Sequence, residues 1–252
     1  MNLLVAGGAA ATGALCAMLG GWLRPRGAVV AGLVALAHVA GGGWMGGLLL
    51  ATFVVSGSLL TRWLDPNGAR VVRRSAGQVL ANGGPAALAA LVIPQWPTAG
   101  WPLLLGALTT AQADTWATEI GRTSPHAPRD LSTRRVVPAG TSGGVTWRGT
   151  VAGAAGAVLL GMVAWPGVGA CVAAAGAAGG LLGMTVDSAV GGPLQTRYLC
   201  MVCGSTTETD RHCKAPARHA SGLRGLGNSA VNALSTAVGG LGALLLSGWF
   251  SC

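Results

Sequence analysis

The sequence predicts an all-α fold: a polytopic integral membrane bundle of about eight transmembrane helices, forming one domain over residues 1–252. Both termini are expected outside and a polar site at the cytoplasmic rim. Three observations predict this. The chain is 51% hydrophobic and only 9% charged, with 43 glycines set among long Ala, Leu and Val runs of membrane-span length. All 16 Lys and Arg residues fall into four clusters, none of which interrupts an apolar run. Between consecutive clusters the apolar stretch is about twice the ~20 residues that one span needs, with an uncharged turn near its middle.

The first span precedes Arg24 and Arg26; it lacks a basic leader, so it reads as a retained helix and not a cleavable signal. Arg26 to Thr61, with the turn "AGGGW" (40 to 44), reads as two short spans or one long bent one. Arg62, Arg70, Arg73 and Arg74 follow in a loop near 62–78. The next hairpin turns at "PQWPTAGW" (94 to 101) and ends at Arg122, Arg129, Arg134, Arg135 and Arg148, in a loop near 121–148. A third turns at "AWPGVG" (164 to 169) and ends at Arg197, Arg211, Lys214, Arg218 and Arg224, in a loop near 193–224, before the last span. The positive-inside rule places these loops in the cytoplasm, and thus the protein in a bacterial-type inner membrane with its site facing the cytoplasm. Trp22, Trp44, Trp63, Trp96, Trp101, Trp147, Trp165 and Trp249 sit near the proposed span ends, where an amphipathic ring belongs. The +9 net charge is therefore membrane topology and no sign of a nucleic-acid partner. Gly149 with Gly153, and Gly176 with Gly180, are spaced to let helix backbones approach.

Of seven acidic residues, Asp65, Asp130, Glu208 and Asp210 lie in basic loops, where solvation explains them. Asp114 and Glu119, in "ADTWATEIG", and Asp187, in "LLGMTVDSAVGG", lie within spans toward the cytoplasmic side. A charge at membrane depth costs about 3 kcal/mol on insertion scales, so these acids mark a function. Gln78, Asn82, Ser188, Asn228 and Asn232 fall at the same level and complete a polar chamber. Five residues of helix rotate ~140°, so Asp114 and Glu119 do not chelate as neighbours. A divalent cation is better shared by Asp114 and Asp187, with Glu119 serving a second ion or a basic residue. Oxygen ligands favour Mg²⁺ completed by substrate phosphates. The string Gly140, Thr141, Ser142, Gly143, Gly144 precedes a span and suits an anion nest, helped by Arg134, Arg135 or Arg148. Cys200, Cys203, His212 and Cys213 have spacing suited to Zn²⁺, with His219 as a substitute ligand, and reduced cytosolic thiols agree with it. Cys16, Cys171 and Cys252 read as small apolar residues or a bystander terminus.

The motifs "GQVLANGG", "ADTWATEIG", "VPAGTSGGVT", "GLLGMTVDSAVGGPLQ", the C-x-x-C with its His-Cys, and "NSAVNALS" occur in this order. Over about Arg74 to Ala237 the chain resembles the membrane family that contains plant phytyl-phosphate kinase of the vitamin E pathway and an animal transmembrane relative. Gly227 and Ser229 flank Asn228 where that family often has acidic or amide residues. The resemblance implies an Mg²⁺-dependent isoprenyl-phosphate kinase, with a nucleoside triphosphate, CTP, as donor and an isoprenyl monophosphate as lipid substrate. On this reading Asp114, Glu119, Asp187, Arg134 and Arg135 are catalytic. The glycine string, Arg148, Asn82, Asn228 and Asn232 bind the nucleotide. The chemistry agrees: an ionised phosphate acceptor demands no general base, and none is evident, since His38 lies in an apolar span and His126, His212 and His219 lie in loops. The alternatives are an ion-coupled transporter of a small anion or lipid precursor, whose site belongs near the midplane, and a scaffold whose polar residues only join helices.

Overall fold

The computed structural model describes residues 3–65 and 73–252; Arg70 of the second basic cluster lies outside the described residues. The chain is predominantly helical: α1 (Leu3–Leu19), α2 (Pro25–Leu64), α3 (Ala76–Val92), α4 (Pro97–Gly121), α5 (Trp147–Val168), α6 (Ala170–Leu194) and α7 (Asn228–Trp249). Four of these, α2, α5, α6 and α7, are long and apolar enough to cross a membrane.

The 40 residues of α2 form two arms, because Gly43 takes φ 60° and ψ −150°. Glycine adopts this backbone without the Cβ clash any other residue would meet. The arms fold back on each other: Gly46 packs on the His38 carbonyl, and the Arg62 guanidinium, near the end of the second arm, donates to the Gly20 carbonyl just before the first. Arg62 also lies over the Trp22 ring, 5.6 Å from its centroid. Further along, α5 gives way to α6 through Gly169 alone, at φ 84°.

The centre of the bundle is α4. Its residues are buried one after another from Leu104 to Ala113, and it packs against α2, α3, α5, α6 and α7. A helix enclosed on all sides can carry polar groups where a lipid-facing one cannot. Thr110 accordingly donates to the Gly106 carbonyl at 2.8 Å, and Gln112 Nε2 donates to Ser56 Oγ of α2 at 3.0 Å. Close packing depends on small residues: any side chain at Gly239 of α7 would collide with Thr110 of α4, and Gly176 and Gly180 of α6 lie against Leu105 and Thr109 of α4. Leu33, Leu59, Leu88 and Leu245 face outward, and Trp63, Trp96, Trp147 and Trp249 are exposed at helix ends.

Among the described residues, the basic clusters lie at the same end of the bundle: Arg62 reaches Gly20, Arg74 Nη1 donates to Ser58 Oγ at 3.2 Å beside a Leu23–Arg74 backbone bridge, Thr61 Oγ1 donates to Glu119 at 3.1 Å, and Arg197 Nη2 donates to the Ser142 carbonyl at 3.0 Å. At the opposite end a disulfide joins Cys171, at the start of α6, to Cys252, beyond α7. These two cysteines are therefore neither packing residues nor a bystander terminus. Two residues brought together by helix ends, 81 positions apart, give no local spacing signal.

The all-α expectation also needs a correction in the loops. Between α4 and α5, β1 (Arg129–Asp130) pairs antiparallel with β2 (Gly144–Val145). Between α6 and α7, β3 (Arg197–Cys200), β4 (Thr206–Thr207), β5 (Arg211–His212) and β6 (Ala215–Ser221) form an antiparallel sheet in the order β4-β3-β6-β5. Strands of two residues, as β1, β2, β4 and β5 are, have no hydrophobic period to detect.

Candidate functional site

Asp114 of α4 and Asp187 of α6 line one cavity of about 270 Å³ at the basic end of the bundle. Arg122, at the end of α4, lines the same cavity and supplies a cation there. Asp187 is held from α7, whose Ser235 Oγ donates to Asp187 Oδ2 at 2.9 Å.

The glycine string from Gly140 to Gly144 lines the same cavity. Gly143, at φ +81°, packs against Gly192 of α6 so tightly that no Cβ would fit, which seats the loop just beyond Asp187 and Ser188. The amides of Thr141 and Gly144 are used within the turn, on the Pro138 and Thr141 carbonyls. The Ser142 hydroxyl is also engaged: it donates to Glu208 Oε1 at 2.5 Å and accepts from Gln195 Nε2 at 2.9 Å. Arg197 Nη2 donates to the Ser142 and Gly192 carbonyls at 3.0 Å each.

Two helix N-termini open into the same cavity. Thr146, whose side chain caps α5 by accepting from the Gly149 amide at 3.0 Å, lines it together with Gly149 and Thr150. Asn228, the first residue of α7, lines it as well. The positive ends of two helices thus face two carboxylates across one small space. That arrangement suits a divalent cation next to a phosphate.

Other sequence-predicted residues lie elsewhere. Glu119 accepts from Thr61 Oγ1 at 3.1 Å and approaches Arg122 at 4.0 Å; it faces α2, so of its two expected roles the structure shows the contact with a basic residue. Arg134 and Arg135 are exposed in the β1–β2 loop, and Arg148 Nη1 donates to the Thr123 carbonyl at 3.0 Å; none of the three lines the cavity. Asn232 Nδ2 donates to Asn82 Oδ1 at 2.9 Å, and neither lines the cavity. Asn82 instead faces a second, apolar cavity of about 570 Å³ between α1, α2 and α3, which Arg74 and Gln78 also line.

Asp130 and Glu208 are not simply solvated. Asp130 is buried and accepts from the Thr133 and Ser132 amides, at 2.8 and 3.0 Å, and from Thr133 Oγ1 at 3.0 Å. Those bonds, the Thr133 amide first, hold its carboxyl below the usual range. The sulfur and imidazole atoms of Cys200, Cys203, His212 and Cys213 all lie within 4.8 Å of one another. Backbone amides of Cys203 and Val202 point at the Cys200 sulfur and hold its thiol below the usual range. Sequence reasoning missed Arg122, Thr146 and Ser235; a helix-capping Thr three residues before Gly149 was the one signal that could have found Thr146.

The chain matches the family described as integral membrane protein DUF92 over residues 8–240, more of its length than the motif resemblance covers. It is 36% identical over 152 residues to an uncharacterized membrane protein of Methanocaldococcus jannaschii, covering 57% of this chain and 63% of that one. With Protein PGR of Arabidopsis thaliana it is 27% identical over 212 residues, 70% of this chain and 73% of that one. With an uncharacterized membrane protein of Synechocystis sp. it is 30% identical over 175 residues, 62% and 66% of the two chains. The aligned part thus spans slightly under two thirds of the archaeal and cyanobacterial relatives. No solved structure matches the chain.

Proposed function

The chain belongs to the DUF92 family of integral membrane proteins, and on that premise we propose that it is a membrane-embedded isoprenyl-phosphate kinase. It passes the γ-phosphoryl group of a nucleoside triphosphate, CTP by the motif resemblance, to a prenyl monophosphate. The observation that carries this reading is the single cavity in which Asp114, Asp187, the glycine loop and the N-termini of α5 and α7 converge. In the proposed orientation about eight spans, with α2 counted as two, cross the bilayer. The basic loops and the cavity face the cytoplasm, and both termini and the Cys171–Cys252 disulfide face outside. Thiols at one end of the bundle and a disulfide at the other support that orientation.

The donor set fits a divalent cation, since two carboxylates from different helices line one small polar cavity and offer the oxygen ligands that such an ion takes. Bound to Asp114 and Asp187, Mg²⁺ would supply charge neutralisation at the donor phosphates. The chain's own groups do the rest. The N-termini of α5 and α7 and the Arg122 guanidinium hold phosphate oxygens, and Gly143 brings backbone close to them. An oxygen of the prenyl phosphate attacks the γ-phosphorus as the bond to the β-phosphate breaks, leaving a nucleoside diphosphate. The acceptor is already ionised, so no general base is required. The prenyl tail lies between helices, and the apolar cavity lined by α1, α2 and α3 offers room of the required character.

A transporter site belongs near the bilayer midplane. Here the cavity is built from the last third of α4 and the first residues of α5 and α7, which favours an enzyme open to the cytoplasm. The test offers purified protein and Mg²⁺ a panel of isoprenyl monophosphates and the four nucleoside triphosphates. Lipid mass spectrometry should show one added phosphate; no diphosphate from any pair contradicts the reading.

A further inference from the structure

The cysteine loop lies outside the cavity and the kinase chemistry makes no use of it. Cys200, buried at the end of β3, and Cys203 come from the turn that Gly204 closes at φ 71°, with the Gly204 amide donating to the Cys200 carbonyl at 3.0 Å. His212 ends β5, and its Nδ1 lies 3.4 Å from the Cys203 sulfur and 3.3 Å from the Cys213 sulfur. The N–S edge of a tetrahedral zinc site with Zn–S near 2.3 Å and Zn–N near 2.0 Å is roughly 3.5 Å, so both imidazole–sulfur distances are those of ligands around one ion, and all four ligand atoms lie within 4.8 Å of one another.

Adjacent residues normally project in different directions, so His212 and Cys213 need a special backbone to share an ion. They have one. Cys213 and Lys214 form the two-residue turn between β5 and β6, where His212 pairs with Ala215, and both take positive φ, 50° and 59°. Such turns favour Asn-Gly, and Cys-Lys is a poor choice on conformational grounds. The unfavourable turn brings the Cys213 sulfur back beside His212. An outlier of this kind persists when the surroundings hold it, and a bound ion would do so.

The sheet also reaches the candidate site. Glu208 sits between β4 and β5, and its carboxylate accepts from the Ser142 hydroxyl in the cavity wall. We propose that Cys200, Cys203, His212 and Cys213 bind one structural Zn²⁺, and that this knuckle fixes the sheet that carries Glu208 onto the glycine loop at Ser142. Binding releases the thiol protons to solvent and involves no redox change. The proposal stands apart from the kinase reading, since it concerns the support of the loop and not the reaction.

The experiment measures metal in the purified full-length chain, in detergent, by elemental mass spectrometry. Zinc at about one ion per chain is expected, with Cys200, Cys203 and Cys213 protected from alkylation until a chelator is added. Cys203→Ser and Cys213→Ser should lose the metal, while Cys16→Ser, in α1, should keep it. Folding failure in the serine variants is separated by His212→Cys, which preserves a four-ligand set and should retain zinc. Proteolysis at residues 136–145 should quicken in chelated wild-type protein. Chains without zinc whose thiols alkylate freely, or a Cys200–Cys203 disulfide in the purified protein, would overturn the proposal. Zinc bound with no change in proteolysis on chelation would overturn its supporting role.

Discussion

The Ser235 hydroxyl of α7 donates to Asp187 Oδ2 of α6 at 2.9 Å, a bond between two helices that both reach the cavity. A hydrogen bond to a charged group contributes about 1.5–3 kcal/mol, and here it fixes which way a cavity carboxylate points. Ser235→Ala should therefore lower turnover about tenfold or more while leaving the protein folded. Steady-state kinetics with a thermal-unfolding control checks this, and unchanged turnover would remove Ser235 from the site's support.

Glu119 gives the opposite expectation. It contacts Thr61 and Arg122 on the α2 side of α4, and a partly exposed ion pair at 4.0 Å is worth at most about 1 kcal/mol. Glu119→Gln should cost a few degrees of thermal stability and change turnover per folded molecule by less than about threefold. A hundredfold loss would return Glu119 to the cavity chemistry.

The Asp130 carboxyl is held below its usual range by the Thr133 amide, the Thr133 hydroxyl and the Ser132 amide. Such a depressed group stabilises the folded loop above its unfolded pKa, about 3.9, and that stabilisation is lost as pH falls through the lower folded value. Order in residues 131–143 should thus hold from neutral pH down to about pH 4 and fail below it. Asp130→Ala should loosen the loop at every pH. Hydrogen exchange across that segment reads both effects, and a profile unchanged by the substitution would show that the loop is held by other contacts.

The disulfide between Cys171 and Cys252 closes a long loop, and a bridge of that kind typically contributes about 2–4 kcal/mol. Cys171→Ser should lower the thermal transition accordingly. If that end faces outside, as in the proposed orientation, an impermeant reductant and maleimide applied to intact cells should label Cys171 and Cys252. A cysteine placed at the exposed His126, at the basic end, should label only after permeabilisation. Labelling of both ends from outside would contradict the orientation.

Much of the fold is written in local sequence. The breaks at Gly43, at 94–96 and at Gly169 fall in the uncharged turns because a helix reversal needs a glycine backbone or a residue that ends hydrogen bonding. Asp114 and Asp187 stand out because a charge in an apolar run is costly. Position within the loops is another matter. Arg122 lines the cavity while Arg134 and Arg135 do not, because β1 and β2 turn the intervening segment away. No count of charges along the chain carries that information. The burial of Asp130 and the Ser142–Glu208 contact depend on two loops meeting, across 66 residues in the second case.

The central claim is that Asp114 and Asp187 sit in one cavity to hold a metal ion against donor phosphates. Asp114→Asn and Asp187→Asn keep shape and remove charge, with Asp65→Asn, at the end of α2 and not a cavity residue, as the control. The measurement is isoprenyl diphosphate formed per folded molecule, across a Mg²⁺ titration, for the three variants. The account predicts a loss of about a hundredfold or more for each cavity variant, a raised Mg²⁺ requirement in whatever activity remains, and wild-type behaviour for the control. Near wild-type activity in both Asp114→Asn and Asp187→Asn would show that the carboxylates serve the bundle and not the reaction.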